Sequence, residues 1–337
     1  MIRIKMAQLT RTIAISLKQF PSAWGQWWRE RSVFQKFFPI IFVLAYWSSL
    51  KLLEGFRSDH LIIGIAVLVG SYGGRGLNHI FRFLLPLIAT GIVYDSQRFY
   101  GDYIRGPIHI REPYEFDKRW FGVQTASGVL TPNEWFELHT VPALDLLTGF
   151  FYISFVPIFV AIGAYFYFWA SRVGTPKMPA TRIQELAPRY MWAFFWVNFV
   201  GYTTYYWYAA APPWYVALHG FGPAKMDTLA NAAGCVRFDA ILGTKFFTEW
   251  YGRSADVFGA IPSLHVAYPL QAVIFAFKFG RLRAFSIFFY LVMCFAAVYL
   301  NHHYVLDVLL GSLYAIVVTL AVERIFDRFL SKRKSEC

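Results

Sequence analysis

Long apolar runs constrain this chain more than any other feature. Stretches of roughly 17–25 mostly apolar residues can cross the hydrocarbon core of a bilayer as helices. The sequence offers about eight: 34–54, 60–75, 79–97, 143–170, 190–211, 263–280, 284–301 and 304–323. The second is the shortest and carries Gly64, Gly70, Gly73 and Gly74. Only 15% of residues are charged and 57% are hydrophobic, against roughly 25% charge in a soluble globular domain. The fold class expected is all-α integral membrane: a multi-pass helical bundle of about six core transmembrane helices plus two N-terminal ones.

Charge sets the expected orientation. The formal net charge is +12, but Lys and Arg sit mainly beside or between the apolar runs. That suits membrane-flanking charge rather than nucleic acid. Arg3, Lys5, Arg11, Lys18, Arg29 and Arg31 precede the first run. Residues 1–33 therefore read as an uncleaved basic segment, an amphipathic surface helix anchored by Trp24, Trp27 and Trp28 or else a frayed tail. With eight crossings both termini are cytoplasmic, and the end bearing Arg324, Arg328, Lys332, Arg333 and Lys334 agrees. The expected organisation is a basic segment 1–33, two helices in 34–78, a catalytic membrane domain 79–323 and a basic tail 324–337. Cys235, Cys294 and Cys337 are too scattered for a disulfide framework or a thiolate metal site.

In this orientation the long connections 98–142 and 212–262 and the junction at Asn301–His302 face outward, to a periplasm or an organelle lumen. The second mixes Lys225, Arg237, Lys245 and Arg253 with Asp227, Asp239, Glu249 and Asp256. Long, aromatic-rich connections of balanced charge carry function more often than disorder, so chemistry is expected on this face.

Two motifs stand there. In Asn301-His302-His303-Tyr304-Val305-Leu306-Asp307, His303 and Asp307 are four residues apart and would share one helix face. A carboxylate holding Nδ1 leaves Nε2 free as nucleophile or base. The same pair also fits a surface ion pair or, with His265, a metal site. In Phe258-Gly259-Ala260-Ile261-Pro262-Ser263-Leu264-His265, Ser263 is placed to cap a helix whose first amides favour phosphate, with His265 beside it for proton transfer. Two histidines and an aspartate converging next to such a helix start suit phosphoryl chemistry through a covalent histidine.

Pro-Ser-Leu-His followed some forty residues later by His-x-x-x-Asp resembles the type 2 phosphatidic acid phosphatase superfamily. Together with Ala-Ala-Pro-Pro-Trp-Tyr (210–215), Ala-Gly-Cys-Val-Arg-Phe-Asp (233–239), Tyr-Asp-Ser-Gln-Arg (94–98) and Thr-Pro-Asn-Glu-Trp-Phe-Glu-Leu-His (131–139), the pattern is similar to its inositol phosphorylceramide synthase branch over roughly 79–323. The resemblance implies that His303 attacks the phosphorus of a phosphatidylinositol-like phospholipid donor, with Asp307 holding its tautomer. His265 would protonate the departing diacylglycerol and then act as base on a ceramide-like lipid alcohol acceptor. It implies no metal and no organic cofactor; the partners are membrane lipids.

The sequence departs from the broad phosphatase pattern. The stretch Tyr202–Tyr215 lacks the Lys-x6-Arg-Pro cations, and Ala296 and Ala297 stand where the phosphatases have Ser-Arg. A phosphate must still meet cations or N–H groups. Arg237 is expected first, then Arg98 and Lys225. Asp239 is a candidate for the headgroup pocket or else a partner of Arg237, and His139, with Asn133, Glu134 and Asp145, is a candidate for that pocket, against plain structural contacts near a helix start. His302 is balanced between a role and none. The tyrosines and tryptophans of 202–215 read as an interfacial belt. Rival readings are the same chemistry with water as acceptor, and a transporter, against which the ionisable groups cluster at one face and not at the midplane.

Overall fold

The structure, a computed structural model, describes residues 21–252 and 256–335, with side chains through 328. Arg3, Lys5, Arg11, Lys18, Arg253 and Cys337, and the side chains of Lys332, Arg333 and Lys334, lie outside the described part. The chain divides into two compact units, Met1–Ile88 and Ala89–Cys337.

In the first unit, helix α1 (21–29) carries Trp24 stacked on Trp28 with ring centroids 5.4 Å apart. Helices α2 (Val33–Leu52) and α3 (Ser58–Tyr72) follow, with α4 (Arg75–Ser96) crossing the unit boundary. A capping box between Ser32 and Gln35 starts α2, satisfying amides that otherwise lack partners. Trp24 Nε1 donates to the Tyr72 carbonyl at 2.7 Å, tying α1 to the end of α3. Val33, Phe34, Phe37, Ile41 and Leu44 of α2 are exposed, an arrangement suited to lipid and not to water.

The second unit carries α5 (Gly101–Ile104), α6 (Arg111–Phe121), α7 (Pro132–Leu138) and α8 (Pro142–Ala164). A π-helical turn over Tyr165–Ala170 extends α8 into α9 (Ser171–Val173). Next come α10 (Ala180–Leu186), α11 (Pro188–Trp207), α12 (Pro213–His219), α13 (Val236–Leu242) and α14 (Phe246–Tyr251). The chain closes with α15 (Leu264–Phe279), α16 (Arg283–Tyr299) and α17 (Val305–Ser335). Thus the 324–337 tail continues α17 as helix through Ser335.

Each of the eight apolar runs is a helix, and the protein is an all-α membrane bundle. Among the described residues, four helical stretches are long and apolar enough to cross a membrane by themselves: Val33–Leu52, Arg75–Phe99, Pro142–Val173 and Val305–Arg328. α3, α15 and α16 are shorter apolar helices. α11 has the length, but Arg189, Asn198, Thr203, Thr204 and its tyrosines dilute its apolar character.

α15 is the hub, packed against α8, α11, α16 and α17. Its buried Ala267, Ala272 and Ala276 let neighbours approach closely. Buried Gln271 donates to the Ala193 carbonyl at 3.0 Å and to Thr319 at 3.1 Å, tying α11 and α17 to the hub. Removing either partner would strand a polar group in an apolar interior.

The long connections fold as short helices and strand pairs. β1 (Ile108–His109) pairs in parallel with β4 (Ala209–Ala210), and β2 (Val123–Thr125) forms a hairpin with β3 (Gly128–Leu130). Ala210 also bridges Gly259. Ala-Ala-Pro-Pro therefore stitches the first connection to the Gly-Ala-Ile-Pro-Ser segment. Trp214 N–H donates to the Asn301 carbonyl at 3.2 Å and Gly234 N–H to the Leu300 carbonyl at 2.9 Å. The separated sequence motifs gather around one turn, 300–304.

Candidate active site

His303 lies in that turn, before α17 begins at Val305, so it does not share a helix with Asp307 as the spacing suggested. The two still meet: Asp307 Oδ2 stands 3.4 Å from His303 Nδ1. A nearer acceptor, the Ala260 carbonyl, is 3.0 Å from Nδ1. A carbonyl only accepts, so Nδ1 carries the proton and Nε2 presents its lone pair. That lone pair faces His265 Nδ1 at 3.1 Å. The backbone of the Gly-Ala-Ile-Pro-Ser segment, more than Asp307 alone, thus selects the tautomer.

Asp307 is fully buried and also accepts from Tyr304 N–H at 2.9 Å. Its carbonyl accepts from Ser263 N–H at 3.0 Å, joining the two motifs through the main chain. Ser263 occupies the N-cap of α15, yet its hydroxyl makes no cap bond. The oxygen is buried without a protein partner, leaving it available to a ligand. His265, in the first turn of α15, is partly exposed, whereas His303 and His302 are each 5% exposed.

Four rings form a column: His265 on Tyr152 (4.5 Å), Tyr152 on His302 (5.0 Å) and His302 on Tyr251 (4.7 Å), each within 16° of parallel. His302 Nε2 lies 3.1 Å from the Ala232 carbonyl and 3.4 Å from Cys235 Sγ. Burial, then the neighbouring His303 charge, pushes His302 down to about 3. It is neutral at physiological pH and acts through stacking. Its folded value lies below the ordinary 6.5, so the stability it contributes is present above 6.5 and is lost as pH falls toward 3. A thermal-melt series should show His302→Phe removing about 2 kcal/mol of the acid-side loss by about pH 5. An unchanged acid limb would contradict this.

Of the expected phosphate ligands, Arg237 and Arg98 have carboxylate partners. Arg237 Nε donates to Asp145 at 2.7 Å and Nη2 to the Tyr299 carbonyl at 3.2 Å, with Glu137 at 3.8 Å. Its charge is met by carboxylates, and its partner is Asp145 in place of Asp239. Asp239 instead accepts from Thr244 at 2.8 Å and from the Phe247 and Thr248 amides, capping α14. Arg98 pairs with Asp95 at 2.9 Å. Lys225 is exposed, with its amide donating to Tyr215. His139 is exposed and stacks on Trp135 at 4.2 Å. Direct contacts join His265, His303, Asp307 and Ser263.

Sequence reasoning missed several residues. Buried Asp117 of α6 accepts from the Val305 and Leu306 amides at 2.7 and 3.0 Å. Arg105 pairs with Asp256 at 2.6 Å and lies over the Phe258 ring, bracing the segment that leads to Ser263. Nothing local marks Asp117 or Arg105, because their partners lie far along the chain. Gly311 was readable, since it falls four residues after Asp307 on the same helix face.

A PAP2 superfamily model matches residues 126–321, which contain both histidine motifs. The chain belongs to the PAP2 superfamily. A phosphoinositol dihydroceramide synthase of Bacteroides thetaiotaomicron is 36% identical over 261 residues, 76% of this chain and 81% of that protein. The inositol phosphorylceramide synthase catalytic subunit of Schizosaccharomyces pombe is 32% identical over 249 residues, 71% of this chain and 52% of that one. That of Saccharomyces cerevisiae is 34% identical over 112 residues, 33% of this chain and 28% of that one. No solved structure matches. Within the family the chain stands with the inositol phosphorylceramide synthase-like transferases, and it is an enzyme of that kind.

Proposed function

We propose that the protein transfers a phosphoinositol-type headgroup from a glycerophospholipid such as phosphatidylinositol to the hydroxyl of a ceramide, through a phosphohistidine on His303. The reaction takes place at the outer membrane face, periplasmic or lumenal, with both termini cytoplasmic.

In the first step His303 Nε2 bonds to phosphorus and the bond from phosphorus to the glyceride oxygen breaks. His265, held as imidazolium by the anionic phosphodiester of the bound donor, gives its proton to the departing diacylglycerol. The phosphorylated His303 ring is then cationic, and its Nδ1–H faces the Ala260 carbonyl and the Asp307 carboxylate. In the second step neutral His265 takes the ceramide hydroxyl proton, and the alkoxide displaces His303 from phosphorus. Protons balance over the cycle, and neither step calls on a metal or an organic cofactor. The Ser263 hydroxyl donates to a phosphoryl oxygen. Arg237, Arg98, Lys225, Asp239 and His139 act outside the reacting centre, shaping the connections around it.

The observation that carries this reading is the oriented pair, with His303 Nε2 toward His265 Nδ1 at 3.1 Å and Nδ1 held by a carbonyl. It occurs in a chain whose relatives are named as phosphoinositol-ceramide synthases. The test is to incubate purified protein in detergent with inositol-labelled phosphatidylinositol, with and without ceramide. A phosphoinositol sphingolipid formed only with ceramide is expected, matched by diacylglycerol beyond the one equivalent per enzyme that the first step releases. Release of water-soluble inositol phosphate regardless of ceramide would make the enzyme a hydrolase.

A further inference from the structure

The turn that carries His303 is gripped from outside its own helices. The first amides of any helix lack intrahelical partners and need an acceptor. At the start of α17 the preceding residue is Tyr304, whose side chain is no cap. The Val305 and Leu306 amides donate instead to the two carboxylate oxygens of Asp117, 188 and 189 residues upstream. On the other side of the turn, the buried Asn133 amide of α7 donates to both the Val298 and the His303 carbonyls, each at 3.0 Å. α6 and α7 are themselves joined, since Tyr114 donates to Glu134 at 3.0 Å and Glu134 closes the Thr131 capping box.

We propose that Asp117 and Asn133 are positioning residues, a two-point clamp by which the first outer connection fixes the angle of His303 toward the substrate phosphorus. The proposal rests on the phosphohistidine reading above and adds residues that touch no reacting atom.

A purely structural cap would not need a charge here. A neutral Ser or Asn caps helices well, whereas Asp117 is buried beside a second carboxylate. Burial, with Asp307 adding to it, pushes the Asp117 carboxyl up to about 7 from 3.8. Asp307 on α17 is the charged group beside it, and Tyr304, itself near Glu134 and Tyr114, is a further titratable neighbour. The folded value is raised, so the stability tied to this group is fully present below 3.8 and is lost as pH rises through 7. The clamp behaves oppositely, because the ionised carboxylate accepts both amides and tightens as pH rises through 7. A merely structural role would move stability and turnover together; a positioning role separates them.

The test compares wild-type protein with Asp117→Ala, Asp117→Asn and Asn133→Ala, reading kcat and KM for phosphatidylinositol across pH. Thermal melts and the rate at which diethyl pyrocarbonate modifies His303 are read beside them. Expected is a loss of about 10²-fold in kcat for Asp117→Ala with KM changed less than about threefold. Asp117→Asn, which keeps one acceptor, should recover about half of that loss on a logarithmic scale and lack the rise near pH 7. His303 modification should speed up in both alanine variants, because a loosened turn exposes the ring. Wild-type kcat and modification rates in folded Asp117→Ala would overturn the clamp, as would a change in KM alone. If wild-type protein transfers nothing, the phosphohistidine reading fails, and the modification rates still decide whether the clamp exists.

Discussion

Replacing His303 with alanine is expected to abolish transfer of phosphoinositol to ceramide, by at least about 10⁴-fold in kcat, while the protein keeps its fold. Residues that act as one catalytic unit fail together, and removing the nucleophile removes the covalent route entirely. His265→Ala should cost about 10²–10⁴-fold, the range for a positioned general acid–base group. The double variant should be little worse than His303→Ala alone, because both act on one intermediate. Ceramide-dependent product measured by initial rates checks this. Full activity in His303→Ala would remove the assigned nucleophile.

The second large effect comes from a glycine that touches no substrate. Gly311 lies in α17, one helical turn beyond Asp307, where α17 crosses the segment ending in Ser263. A Cβ there would overlap the Ser263 carbonyl oxygen and stand 3.0 Å from its carbonyl carbon and 3.2 Å from its nitrogen. These are backbone atoms, so no side chain can swing away. Gly311→Ala must push apart the two motifs that the Ser263 N–H to Asp307 carbonyl bond holds together. Overpacking of this kind costs about 1–3 kcal/mol, and a displacement near 1 Å at reacting groups costs about 10²-fold in rate. A drop in kcat of that size, with a modest fall in melting temperature, is expected. Wild-type turnover would show that the two motifs need no close contact.

The sequence was informative where physics acts locally and poor where it acts at a distance. Apolar run length is a local property, and every expected run is a helix. The boundaries differ mainly at the last helix, which begins at Val305 and runs on through the basic tail to Ser335. The long connections were expected only as loops, and their short helices are held by pairings no window of sequence contains, such as β1 with β4. The histidines and Asp307 were legible through spacing and motif. The reason for their geometry was not, because it is a carbonyl of Ala260 that holds His303. Arg237 looked like a phosphate ligand by its charge, and the Asp145 that meets that charge lies 92 residues away. Asp117 carried no local signal, because the amides its carboxylate meets lie 188 and 189 residues along the chain.

The most direct test of the account is to trap the intermediate. Full-length protein would be mixed with phosphatidylinositol labelled at phosphorus, without ceramide, then quenched at alkaline pH, where a phosphohistidine survives, and digested for mass spectrometry. The account predicts phosphoinositol on the peptide containing His303, absent in His303→Ala and chased into sphingolipid when ceramide is added before the quench. Ceramide-dependent product formed at full rate with no label on that peptide, or with label on another residue, would contradict it.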